Sequence, residues 1–210
     1  MLKTHDSKSY ILNSDFKNSP SKDFIYIPSI NMYVAKERKF FGENWFECHK
    51  KLQENRERML IIPEFIEFLK HIKKDNLAIY NEIIQTGNSW KAEWLDANFK
   101  LKNDKLHINY NHKLDSNGNL IPKNSEILDK NTLMQDEKLG ISLENWLEGS
   151  TNQGLPIKCF EDGILHYWHP RSDNNLVAWF NVVVGKNYLN CCGNPFYVNS
   201  DLGVRAVKIE

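Results

Sequence analysis

No stretch of this sequence approaches the roughly 20 consecutive apolar residues that a membrane-spanning helix needs. Its start, Met1-Leu2-Lys3-Thr4-His5-Asp6, lacks the apolar core of a secretory signal. That points to synthesis in the cytoplasm and leaves the final location open between cytoplasm, cell surface and virus particle. An excess of either charge is missing too: 27 basic side chains face 27 acidic ones. A neutral chain offers no electrostatic case for nucleic acid or an anionic membrane surface. Locally, Lys50, Lys51, Arg56 and Arg58 are interleaved with Glu47, Glu54 and Glu57, the pattern of a solvated helix face. Cysteine is scarce, and Cys48, Cys159, Cys191 and Cys192 show no CxxC spacing. Adjacent cysteines bridge each other only with strain. Four free thiols in a reducing compartment are therefore expected, with a Cys48–Cys159 bridge as the open alternative. GxSxG, HExxH, P-loop and dinucleotide fingerprints are all absent, as is any solenoid repeat. The sequence thus predicts no enzyme, no catalytic residue, no metal and no cofactor.

Enough apolar residues are present, 41% of the chain, for a single domain with a real core. Residues 1–22 are polar and read as a flexible arm, followed by one domain over 23–210. Phe24-Ile25-Tyr26-Ile27 and Met32-Tyr33-Val34-Ala35 read as short strands. Asn44 suits an N-cap, and Trp45, Cys48 and Leu52 recur on one helical face behind it. Pro63 and Glu64 mark the start of a second helix with an apolar stripe of Phe65, Phe68, Leu69 and Ile72. A third helix covers about Leu77 to Ile84, with Ile79, Ile83 and Tyr80 inward and Gly87 ending it. Trp90 to Ala97 fits either a strand or a helical turn. Leu106, Ile108 and Tyr110 alternate with polar residues, a half-exposed strand, and Asp115 to Asn119 form a turn. Ser142 caps a short helix carrying Leu143, Trp146 and Leu147. Short β-like runs follow at Leu165–Trp168, Val177–Phe180 and Gly203–Val207. Helices in the middle and strands late make the fold class α+β.

Several residues invite chemistry but have plainer readings. His166 and His169 lie three apart, which on a strand puts them on opposite faces. His107 and His112 read as strand-surface residues. Glu93 and Asp96 read as a surface pair or as partners of nearby backbone. Cys191 and Cys192 fit a redox or metal site and a variable loop equally well, with nothing nearby to depress their pKa. The stretch Arg171 to Asp201 is unusual, because Asn174, Asn175, Asn181, Asn187, Asn190, Asn194 and Asn199 are interspersed with Trp179, Tyr188, Phe196 and Tyr197. Adaptable amides and rigid aromatics are what binding paratopes use; an ordinary loop-rich β region with core aromatics fits the composition as well.

Beyond composition, Leu202-Gly203-Val204-Arg205-Ala206-Val207 resembles the closing strand of the C-type-lectin-like fold shared by formylglycine-generating-enzyme-like proteins. The run from Pro170 through Val177-Ala178-Trp179-Phe180, Leu189-Asn190-Cys191 and Pro195 to Val207 resembles the variable region of diversity-generating retroelement target proteins. Met59 to Phe99 is similar to one archaeal and candidate-phylum bacterial branch of them. In that family, adenine-templated miscopying substitutes scattered codons on a fixed scaffold, and Asn-dense patches are a hallmark. The resemblance implies a C-type-lectin-like domain: a few helices around a small, mostly antiparallel sheet and a long loop-rich C-terminal region, with the variable region at about 168–207. It implies a frame of Arg171, Val177, Ala178, Phe180, Leu189, Cys191, Pro195, Leu202, Gly203, Val204 and Arg205. The exchangeable, ligand-binding residues would be Trp179, Asn181, Val183, Lys186, Tyr188, Asn190, Cys192, Asn194, Phe196, Tyr197 and Asn199, with Trp179, Asn181, Tyr188, Asn190, Phe196, Tyr197 and Asn199 sharing one exposed face. The apolar triplet Val182-Val183-Val184 departs from the family, and either one valine is core or the face is hydrophobic. The partner would be a protein or cell-surface ligand. The resemblance also raises a formylglycine-generating-type oxidase, which adjacent cysteines suit poorly. It raises a calcium-dependent lectin as well, with Asp173, Asn174, Asn175, Asn199 and Asp201 as candidates. A third alternative is a structural protein of a phage or virus tail.

Overall fold

A computed structural model describes residues 22–85, 89–173 and 175–208. The expected flexible arm, except for Lys22, and the helix stop at Gly87 lie outside the described residues. The elements run β1 (Phe24–Ile27), β2 (Met32–Lys39), α1 (Trp45–Glu54), β3 (Glu57–Met59), α2 (Ile62–Asp75), α3 (Leu77–Ile84), β4 (Lys91–Lys102), β5 (Lys105–Leu114), β6 (Leu120–Ile127), β7 (Glu137–Ile141), α4 (Leu143–Gly149), β8 (Leu165–Trp168), β9 (Leu176–Val183), β10 (Lys186–Gly193) and β11 (Leu202–Lys208).

The helices begin where side chains can satisfy their free N–H groups. Asn44 accepts from the Glu47 N–H at 3.0 Å, Asn76 from Ile79 at 3.3 Å and Ser142 from Asn145 at 3.2 Å. At α2, Pro63 occupies the first turn, and the Glu64 carboxylate accepts from the Ile61 N–H at 3.2 Å. The stripe Phe65, Phe68, Leu69 and Ile72 is fully buried.

The fold is α+β, as expected, but the sheet is not small. It has eleven strands, mostly antiparallel, in the order β1-β2-β11-β4-β9-β10-β8-β7, with β3 on β11 and a β5–β6 extension from β4. Only β11–β4 and β10–β8 are parallel among the described pairs. The C-terminal region is also less loop-rich than expected, because β9, β10 and β11 take up most of it. The ambiguous segment resolves as the start of β4 from Lys91 on, the strand that joins β11 to β9, with Trp90 just before it. One face of the sheet packs against α2 and α4 through Phe65, Phe68, Trp146 and Phe180. The other packs against α1 through Trp45, Leu52, Trp94, Val204 and Ala206.

Several polar residues read as surface are buried or half-buried partners instead. Glu57 and Arg58 belong to β3 and not to the solvated face of α1. Glu57 pairs with Lys39, and Arg58 forks onto Glu64 with both contacts at 2.7 Å. Glu93 is 3% exposed and accepts from Arg205. Asp96 is fully buried in a bulge of β4, where the pairing jumps from Leu95↔Ala178 to Asn98↔Val177. His112 is not a strand-surface residue either, since its backbone N–H and its ring both face the Asp96 carboxylate. In each case a distant partner offsets the cost of taking the group out of water.

Candidate ligand-binding face

The β9–β10 hairpin closes through Val184 and Gly185, both at positive φ, the backbone that a tight two-residue turn requires. This turn fixes the register: Val183 opposes Lys186, Asn181 opposes Tyr188 and Trp179 opposes Asn190. Because side chains alternate on a strand, these six share one side of the sheet. Strand β8 extends the same side, with His166 beside Tyr188 and Trp168 beside Asn190. On the other flank Trp179 opposes Trp94 of β4, which is 1% exposed. A transverse row therefore runs Trp94, Trp179, Asn190, Trp168, from buried core to half-exposed surface.

The loop after β10 brings further aromatics to this side. The Tyr197 ring lies 5.8 Å from Trp179, and Phe196 lies 5.1 Å from Phe46 of α1. His166 stacks on Tyr188 at 4.9 Å. Phe196 is 68% exposed, Tyr197 41% and Val198 55%, so large apolar side chains stand in solvent next to half-buried ones. Gly193 makes room for this packing, since a Cβ there would lie 2.5 Å from the Trp179 ring.

All but one of the expected exchangeable residues are exposed or half-buried. Lys186, Asn194, Phe196 and Tyr197 are exposed, and Trp179, Val183, Tyr188, Asn190, Cys192 and Asn199 are half-buried. Asn181 is a correction: it is buried, and its Oδ1 accepts from the Trp179 indole N–H at 3.1 Å. It supports Trp179 instead of being displayed. Three other amides hold the local backbone. Asn190 Oδ1 accepts from the Cys192 N–H at 2.8 Å, Asn194 Oδ1 from Phe196 at 2.9 Å and Asn199 Oδ1 from Asp201 at 2.8 Å. These are turns closed by an Asn side chain on the residue two ahead. Asn187 is fully buried with no partner for its amide atoms.

Of the expected frame, Val177, Ala178, Phe180, Leu189, Cys191, Pro195, Leu202, Gly203, Val204 and Arg205 are buried. Arg171 is the exception: it is exposed and pairs with Asp136 at 2.8 Å, as does the His169 ring. The valine triplet splits, with Val182 in the core at 1% exposure and Val184 66% exposed at the hairpin tip. All four cysteines are free. Cys191 and Cys192 point to opposite sides of β10, and burial pushes both thiols up, away from the reactive thiolate. Trp168 opens the expected variable region, but two contributors to the face were not anticipated, His166 and Phe46. The period-two pattern of β8 carried the signal for His166; Phe46 required the tertiary position of α1. No family model, no curated protein and no solved structure matches the chain significantly.

Proposed function

We propose that the chain is a ligand- or receptor-binding display protein, not an enzyme, built on a C-type-lectin-like scaffold with a face diversified by a retroelement. The observation that carries the reading is the paired register of β8, β9 and β10. It sets Trp179, Tyr188, Asn190, His166 and Trp168 on one side of the sheet, continuous with exposed Phe196 and Tyr197. Rigid aromatics anchored on a buried aromatic row are the composition of a binding hot spot. The pairing of β11 with β2 and β4 suits a closing strand that holds the frame while the face changes. The oxidase alternative draws no support from two cysteines on opposite sides of one strand. For the calcium-lectin alternative, Asn199 Oδ1 is already engaged by the Asp201 N–H.

The diversification part has its own test. Sequencing the DNA adjoining the region that encodes Val177–Val207 is expected to find a near-copy of it, differing mainly at adenines, beside a reverse transcriptase. Neighbouring DNA without either would remove the retroelement from the account and leave a fixed binding face.

A further inference from the structure

We propose that His49, Asp96 and His112 form a binding site for a divalent transition-metal ion of the zinc type, apart from the ligand-binding face. The three residues come from different elements. His49 lies on the inner side of α1, one turn beyond Trp45. Asp96 is carried inward by the β4 bulge, whose backbone is fixed by the Asp96 N–H donating to the Leu60 carbonyl at 2.7 Å. His112 follows Asn111, which has φ +54° within β5. One ligand atom from each lies within 4.8 Å of the other two, and all three residues are buried. Among the described residues this is the one such group of His, Cys, Asp or Glu side chains.

His49 gives the independent reason to look for a ligand. It is 0% exposed, and neither ring nitrogen has a hydrogen-bond partner. Buried polar atoms are normally satisfied, and an imidazole with two open positions calls for an explanation. Its Nε2 lies 3.6 Å from Asp96 Oδ1. Zinc bonds of about 2.0–2.2 Å to nitrogen and oxygen put tetrahedral ligand atoms roughly 3.3–3.6 Å apart, so that pair is already spaced for a shared ion. The second pair is not: His112 Nδ1 is 2.5 Å from Asp96 Oδ1, a hydrogen bond. An ion would take the place of that hydrogen, with the imidazole proton moving to the other ring nitrogen and the side chains opening by about an ångström.

The surroundings suit a metal centre. Trp45 packs edge-on against both imidazoles, at 4.3 Å from His49 and 5.0 Å from His112, and its own N–H is fixed on the Leu95 carbonyl at 3.0 Å. Asp96 Oδ2 accepts from the His112 backbone N–H at 2.9 Å, which orients the carboxylate; such supporting contacts hold first-shell ligands in place. Gln53 of α1 accepts from the Leu114 N–H at 2.8 Å and ties the helix to β5. Two imidazoles and one carboxylate leave a fourth position for water. Two imidazoles with a carboxylate select zinc-like ions over calcium or magnesium, which prefer all-oxygen shells.

The test uses the whole chain stripped with a chelator, with Cys159→Ser present throughout to remove the exposed thiol as a competing ligand. Titration with Zn²⁺ alone is expected to show one ion per chain, and Co²⁺ alone is expected to give the visible absorption of a protein-bound four- or five-coordinate ion. His49→Leu fills the same space without a ligand atom, so it should stay folded and bind more than the roughly 10–100-fold weaker that loss of a merely supporting residue produces. Asp96→Asn should weaken binding similarly. Because either variant could be unstable, the intact chain is also melted with and without Zn²⁺, and a rise in Tm is expected. Absence of stoichiometric binding and of a Tm rise in the intact chain would overturn the proposal and leave a His–Asp–His hydrogen-bond cluster. Undiminished binding by folded His49→Leu would overturn it as well, by placing the ion elsewhere.

Discussion

Arg205→Ala is expected to lower stability by about 3–5 kcal/mol, the range for removing one partner of a buried ion pair. Arg205 is 1% exposed. Its Nε donates to Glu93 at 3.0 Å, and its Nη1 donates to the Ala35 carbonyl at 3.1 Å and to that of Lys36. One guanidinium thus joins β11, β4 and β2. Alanine would leave the Glu93 carboxylate buried without its cation and two carbonyls without a donor, and the unpaired charge is the larger cost. Arg205→Lys keeps the charge but not the fork, and should fall between the two. Urea unfolding with an unchanged slope measures it. A shift within the roughly 0.5 kcal/mol of a surface substitution would contradict the placement of this side chain.

Phe68→Ala is expected to cost a similar amount, roughly 3–5 kcal/mol, through lost burial and the cavity left behind. Phe68 is fully buried in the stripe of α2 that packs under the sheet. The Arg205 guanidinium carbon lies 5.2 Å from the centre of its ring, within cation–π range. The two substitutions should therefore not add, because each removes part of what the other loses. A double-mutant cycle by thermal or urea unfolding reads the coupling. Retained stability in Phe68→Ala would make the stripe a surface, not a core.

The helices were legible because their signals are local. Asn44, Pro63 and Ser142 announce the starts, and a 3.6-residue apolar spacing gives the buried side. Strand β10 was missed for a physical reason. Its inward positions alternate, Asn187, Leu189 and Cys191, but a buried asparagine and a cysteine hide the apolar pattern that marks a half-exposed strand. Strand β4 was ambiguous because Glu93 and Asp96 face inward, and their partners Arg205 and His112 lie 112 and 16 residues away. The cluster of His49, Asp96 and His112 has no recognisable spacing, since a helix, a bulge and a neighbouring strand assemble it. The aromatic positions of the candidate face lay within reach of the chain's local pattern, as did His166 and Trp168 through the alternation of β8, whereas Phe46 did not. The Asn residues were named for the wrong reason, since Asn181 supports an indole and Asn190, Asn194 and Asn199 close turns.

That distinction sets the measurement that bears most directly on the binding reading. A displayed library randomised at Val183, Lys186, Tyr188, Phe196 and Tyr197, with the four turn and support asparagines kept, is melted and selected against a panel of unrelated proteins. A second library, randomised at the exposed β6 positions Ile121, Lys123, Ser125 and Ile127, is treated identically. Most members of the first library should still fold, since none of the five side chains belongs to the buried core and losses at exposed or half-exposed positions are small beside those in a core, and binders should come from the first library and not the second. Widespread failure to fold in the first library, or binders arising equally from both, would contradict a dedicated binding face on β8, β9 and β10.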